Sequence, residues 1–365
     1  MTRDRNGHVL VAPDKFKGSL TAAQAAAHLA AGLRAAGHTA RELPVADGGE
    51  GTLDAALAAG FTRLPVPVGG PTGKPVDSAI AVRDDLVVVE LAAASGLALL
   101  PDGPDPLGAT SRGTGELVAA ALDTGARTVV LGVGGSACTD GGAGLLTALG
   151  ARVLDGAGEP VPDGGAALAR AARVDLTGLD PRLQAVDLVL ACDVDNPLLG
   201  PSGAAAVYGP QKGAGPGEVA ALEAGLTRWA RLVGSSPDVP GSGAAGGVGF
   251  AALAVLGARR RPGIDVVLEL VGFAEHLAGA GLVVTGEGAL DAQTLHGKAP
   301  AGVAAAARAA GVPVVAVCGR CEVTRTELAA AGIGEVHALV DREPDPARCL
   351  ADAGAMLRRI GAALG

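Results

Sequence analysis

The chain has 365 residues, more than one hydrophobic core usually organises, so two domains are expected. Apolar residues make up 49% and charged residues 18%, which excludes a disordered chain; aromatics are only 2%, so the core must be built from Ala, Val and Leu. The formal net charge of −9 argues against a nucleic-acid partner or a basic membrane-binding face, so an anionic ligand has to be met by local cations or backbone N–H groups.

Residues 1–8 are polar and charged and do not read as a secretory signal. No run of about 18 apolar residues free of Gly and charge occurs, so no membrane partner is expected. Five cysteines, sparse and odd in number, fit a reducing cytoplasm. Cys318 and Cys321 have a redox or zinc spacing, but no second pair or His cluster follows them.

In chain order, residues 8–12 (HVLVA) form an apolar strand, and Thr21 with Gln24 reads as a capping box opening a helix that runs to Ala36 before Gly37. Residues 40–46 read as a second strand, followed by a Gly/Asp loop and another Ala/Leu helix to Gly60. This βαβα order signals an open parallel sheet. From Phe61 the pattern changes to three extended runs, 62–68, 76–82 and 86–91, which make a β-meander and mark entry into a different unit. Alternation then resumes, with a helix over 116–122 and strands over 128–132 and 186–191. The Gly/Ala tract 241–249, flanked by apolar helices, suggests close packing or a ligand approach. Strands over 281–284, 312–317 and 336–340 return to the opening pattern. The expected fold is α/β with two domains. Residues 1–60 and 276–365 form a discontinuous Rossmann/flavodoxin-like parallel-sheet domain, and residues 61–275 form an inserted mixed α/β domain.

Ligands of open α/β sheets bind beyond the carboxyl ends of the strands, where helix N-termini supply free N–H groups. Gly/Asp-rich loops recur at those places here. Asp14, Lys15, Lys17 and Ser19 follow the first strand and offer a cationic anchor for a carboxylate or phosphate. Asp47 to Thr52 (DGGEGT) follows the second and could hold a substrate or metal. The loop after residue 132 carries Gly134, Gly135, Ser136, Thr139 and Asp140, a phosphate cradle in composition. Asp193, Asp195 and Asn196 follow another strand, with Asp193 and Asp195 as metal ligands or a base, and Lys212 adds a cation. Thr285, Gly286 and Glu287 are followed by Asp291, four residues beyond Glu287 and on one face of a helix if one has begun. His296 and Lys298 precede a further helix. There is no Walker sequence and no hydrolase elbow.

Six of these segments together resemble the glycerate kinase type 1 family: APDKFKGS (12–19), ADGGEGT (46–52), GGSACTDGG (134–142), CDVDNPL (192–198), GPQKG (209–213) and TGEG (285–288) with Asp291. They stand in family order and spacing. The resemblance implies ATP-dependent, Mg²⁺-assisted phosphorylation of D-glycerate in a two-domain α/β fold with its active site between the domains. It favours the 2-phospho over the 3-phospho product. Chemical reasoning then assigns Lys15, Asp193 and Asp291 to catalysis, with Asp193 or Asp291 orienting the hydroxyl. Asp14, Lys17, Ser19, Asp47 and Glu50 are assigned to the substrate. Gly134, Gly135, Ser136, Thr139, Asp140, Lys212, Thr285 and Gly286 are assigned to the nucleotide, and Asp195 and Glu287 to Mg²⁺. The competing readings are a kinase for another small hydroxy acid and a non-catalytic anion-binding protein on the same scaffold.

Overall fold

Along the chain the strands are β1 (His8–Pro13), β2 (Ala40–Glu42), β3 (Thr62–Gly69), β4 (Pro75–Arg83), β5 (Leu86–Glu90), β6 (Thr128–Gly132) and β7 (Arg152–Leu154). They continue with β8 (Arg173–Asp175), β9 (Asp187–Ala191), β10 (Arg259–Arg261), β11 (Ala280–Leu290), β12 (Val314–Cys321) and β13 (Glu335–Ala338). The computed structural model describes residues 7–292 and 294–364, and His296 without its side chain. Two compact units result. The first takes the chain to Asp47, then Asp54–Gly60 and everything from Pro262; the second takes Gly48–Leu53 and Phe61–Arg261.

The first unit's sheet has the order β13-β12-β11-β1-β2, with every pairing parallel. Counted along this unit, that is the flavodoxin-like order 2-1-3-4-5, whose switch point lies between β1 and β11. Its strands alternate apolar residues to both faces, as a sheet covered on both sides requires. Val9, Val11, Leu282 and Val284 meet the helices Ala22–Ala35 and Ala353–Ala363. Leu10, Ala12, Val283 and Ala316 meet Gly263–Leu270 and Ala299–Ala309. The first two helices touch backbone to backbone, because a Cβ on Gly32 would lie 2.0 Å from the carbonyl oxygen of Arg358. With few aromatics available, such close approach of small residues replaces bulk as the source of packing.

The second unit's sheet runs β10-β9-β6-β5-β4-β3. Its first four strands are parallel, and the expected meander β3-β4-β5 supplies the antiparallel part. Strands β7 and β8 form a separate hairpin. The core is again aliphatic, joined by the fully buried Trp229 and Phe250. Among the described residues no helix is long and apolar enough to cross a membrane.

Several expected boundaries shift. The return to the first unit comes at Pro262 rather than 276, because Ile264, Val267, Val271, Phe273 and Leu277 enter that unit's core. Regular pairing in β2 ends at Glu42, since Pro13 of β1 has no N–H to donate to the Leu43 carbonyl, although Leu43 and Val45 still donate to Val11 and Pro13. Thr285 to Gly288 is not a loop. β11 continues through it to Leu290, held by β12 in the register Glu287 opposite Cys318 and Leu290 opposite Cys321. Glu287 and Asp291 therefore do not share a helical face.

Candidate active site

In the first unit Pro13, Gly286, Val317 and His337 stand in one row across the sheet. Asp14 and Glu287 are thus the residues immediately beyond that row on the two strands flanking the switch point. Asp14 is only 3% exposed, and its N–H donates to the Gly286 carbonyl at 2.8 Å. Its carboxylate accepts from the Lys15 N–H at 2.6 Å and lies 3.6 Å from Lys15 Nζ. Burial pushes the Asp14 carboxyl up to about 7; Lys15 opposes the rise, while Asp47 and Glu287 add to it as like charges.

Glu287 is also raised, by burial first, and its Oε1 accepts the hydroxyl proton of the fully buried Thr294. Thr294 N–H donates to Asp291 Oδ1 at 3.0 Å, and Thr294 Oγ1 accepts from the Asp291 N–H at 3.1 Å. Lys298 Nζ lies 3.9 Å from Asp291 Oδ1. Asp14, Lys15, Asp47, Glu287, Asp291 and Lys298 therefore all belong to one unit. Thr285 and Gly286 form the wall behind them: Thr285 Oγ1 donates to the Ala12 carbonyl at 2.8 Å, and a Cβ on Gly286 would lie 1.8 Å from Val317 O. Ser19 closes a tight turn by donating to the Phe16 carbonyl at 3.0 Å, while Lys17 is exposed on that turn.

In the second unit Glu90, Gly132, Ala191 and Arg261 make another row, so the loops leaving β5, β6, β9 and β10 issue from one edge. The loop after β6 is packed against Gly48–Leu53. A Cβ on Gly134 would lie 2.5 Å from Gly49 Cα, so this backbone approach tolerates no side chain. Glu50, on the same segment, has its Cβ 3.7 Å from the position of a Cβ on Gly135. The segment is held by the buried Glu90, whose Oε2 accepts from Gly51 N–H at 3.1 Å and Leu53 N–H at 2.8 Å. The N–H groups of Gly134 and Gly135 donate to no described group of the protein, which suits an incoming anion.

Asp140 and Lys212 are buried in the floor of this loop. Asp140 accepts from the Ser111 N–H and hydroxyl, both at 2.8 Å, and from Gly142 and Gly144 N–H at 3.1 and 3.2 Å. Burial raises the Asp140 carboxyl and lowers the Lys212 ammonium, the hydrogen bonds opposing the first shift and Cys138 and Asp140 the second. Beyond β9, Asp195 pairs with Arg260 at 2.5 Å and keeps its side chain 79% exposed, while Asp193 is half-buried. Cys318 and Cys321 both lie within β12, where burial pushes the Cys318 thiol up and away from reactivity. Among the described residues no group of three or more His, Cys, Asp or Glu is arranged to hold a metal ion. The side chain of His296 lies outside the described residues.

The model of the glycerate kinase family matches residues 9–365. The chain belongs to the glycerate kinase family. It is 48% identical over 322 residues to the glycerate kinase of Bacillus subtilis (strain 168), covering 85% of this chain and 84% of that one. It is 43% identical over 323 residues to the glycerate 2-kinase of Escherichia coli (strain K12), covering 85% and 84%. A solved structure, of a protein described as glycerate kinase 2 from Salmonella typhimurium LT2, superposes with a TM-score of 0.83 at 40% identity and covers 98% of this chain and 97% of that one. This member of the glycerate kinase family is accordingly an enzyme, a kinase acting on glycerate.

Against that family background, sequence reasoning missed Glu90, Thr294, Ser111 and Arg260. Thr294 had a local signal, since Asp291 and Thr294 are spaced as a reciprocal turn cap. Glu90, Ser111 and Arg260 had none, because each meets partners far away in sequence.

Proposed function

We propose that this glycerate kinase transfers the γ-phosphoryl group of ATP to the C2 hydroxyl of D-glycerate, giving 2-phosphoglycerate and ADP. The observation that carries the reading is Asp14, a buried carboxylate at the switch point, tuned to about 7 and set beside Lys15. A proton acceptor near neutrality next to a cation is the pairing a hydroxy acid needs: the cation meets the carboxylate and the acceptor orients the hydroxyl. The glycerate carboxylate goes to Lys15, with the exposed Lys17 on the same turn. Asp14 takes the hydroxyl-facing role, and burial first, then Asp47 and Glu287, hold its affinity for the proton high. Asp291, tied to Thr294 and near Lys298, caps the turn that positions Glu287. The name of the Escherichia coli relative favours position 2.

The phosphates go to the backbone N–H groups of Gly134 and Gly135, which donate to no described group of the protein. Mg²⁺ typically binds through one or two carboxylates plus phosphate oxygens rather than a full protein cage. Asp193 and Glu50 would hold it; Asp195 is committed to Arg260. Held there, Mg²⁺ would supply neutralisation of the negative charge on the phosphates. A cytoplasmic setting fits five unpaired thiols.

The test is Asp14→Asn in a coupled ADP-release assay with D-glycerate and Mg-ATP. The expected result is a fall in kcat of roughly 10²–10⁴-fold with little change in the KM for ATP. Retention of most of the rate would remove Asp14 from the chemistry.

A further inference from the structure

Asp140 is the one charged residue of the glycine loop, Lys212 reaches the loop from the separate segment 209–213, and the structure turns both inward. An ammonium has three donors and no acceptor. Lys212 Nζ directs its donors at Ser136 Oγ (2.9 Å), Cys138 O (2.5 Å) and Thr139 Oγ1 (3.5 Å), three acceptors within one four-residue stretch. Its side chain is only 2% exposed. Asp140 is equally engaged. Oδ2 accepts from Ser111 N–H, Ser111 Oγ, Gly144 N–H and Thr110 Oγ1, while Oδ1 accepts from Gly142 N–H. Lys212 therefore gathers residues 136–139 from one side, and Asp140 fastens the next turn to Thr110 and Ser111 from the other.

We infer that Lys212 and Asp140 are positioning residues, a buried latch that shapes the glycine loop, and not ligands of the nucleotide. The inference rests on the reading of this loop as the phosphate site. The phosphates are then met by backbone N–H groups whose directions the latch sets. The loop has a built-in reporter, the only tryptophan of the chain. Trp229 is fully buried, its Nε1–H donates to Gly141 O at 2.9 Å, and its ring lies 2.5 Å from where a Cβ on Gly141 would be. Gly141 N–H in turn donates to Gly246 O at 2.9 Å. A displaced loop must disturb the indole even with no nucleotide present.

The experiment measures Trp229 emission of the nucleotide-free full chain, and the KM for ATP and for glycerate, in Lys212→Met and in the milder Ser136→Ala. The latch predicts a red-shifted emission in Lys212→Met before any nucleotide is added, and a loss in kcat/KM for ATP on the order of 10²-fold from the misplaced loop. Ser136→Ala should move both readouts in the same direction by less. If Lys212→Met keeps the wild-type emission yet loses ATP affinity, Lys212 is a nucleotide ligand and the inference is overturned. If Lys212→Met does not fold, Ser136→Ala decides, and an unchanged emission there overturns it equally. Failure of ATP to bind the wild-type enzyme or to alter Trp229 emission would instead sink the phosphate-site reading. A nucleotide-free shift in Lys212→Met would still support the latch.

Discussion

The N–H of Asp14 donates to the carbonyl oxygen of Gly286 at 2.8 Å. This one bond carries the parallel ladder a residue beyond β1 and sets Asp14 next to Glu287, across the point where strand order reverses. Burial is the main reason that both carboxyls hold their protons more tightly than usual; Asp47 and Glu287 add to the rise at Asp14, and Asp47 and Asp291 add to it at Glu287.

The first consequence is a pH-dependent stability. Because the folded-state value of Asp14 is raised from 3.8 to about 7, its contribution is fully present below about pH 4 and is lost as pH rises through 7. Full displacement corresponds to about 4 kcal/mol at most. Asp14→Asn, neutral throughout, should therefore be more stable relative to wild type at pH 8 than at pH 5. Thermal unfolding of both proteins at the two pH values checks this; an equal difference in Tm at both would contradict it.

Thr294 should matter through its hydroxyl. Thr294→Val keeps the volume but leaves the buried Glu287 without that donor and the Asp291 N–H without its acceptor, a loss of about 1–3 kcal/mol in stability. Thr294→Ser should restore most of it. Denaturant titration of the three proteins provides the comparison, and equal midpoints for Val and Ser would show that the hydroxyl does nothing.

Much of this was legible in the sequence. The capping box of Thr21 and Gln24 forms as expected, with bonds of 3.2 and 3.0 Å, because its partners are three residues apart. The strand-end loops were visible for a similar reason, since Gly and Asp punctuate the chain locally. Thr285 to Gly288 was misjudged because glycines suggest a loop, whereas the neighbouring β12 keeps that stretch in the sheet. The engagement of Lys212 and Glu90 could not be read at all. Their partners lie 73–76 and 37–39 residues away, and no local pattern encodes a pairing that only the folded sheet brings about.

The packing of the glycine loop on Gly48–Leu53 yields a further expectation. Gly134→Ala would force its methyl group to within 2.5 Å of Gly49 Cα, so the loop must move. The KM for ATP should rise on the order of tenfold or more while the KM for glycerate changes little. Steady-state kinetics with each substrate varied in turn would reveal the split, and a selective rise for glycerate would place the phosphates elsewhere.

Glu90→Ala removes the acceptor shared by Gly51 and Leu53 N–H, leaving two amide donors without a partner at the start of a helix. A destabilisation of about 2–4 kcal/mol is expected, read by urea unfolding. Glu90→Gln, which keeps one carbonyl oxygen, should lose less; a loss as large as that of Ala would mean that the charge rather than the acceptor is needed.

The most direct test of the central claim is ³¹P NMR of the product formed from D-glycerate and Mg-ATP by the wild-type enzyme. The account predicts ADP and a single new phosphate monoester coupled to the one proton on C2. A resonance coupled to the two protons on C3 would contradict the assignment of the C2 hydroxyl, and the absence of any new phosphate ester would contradict the kinase reading itself.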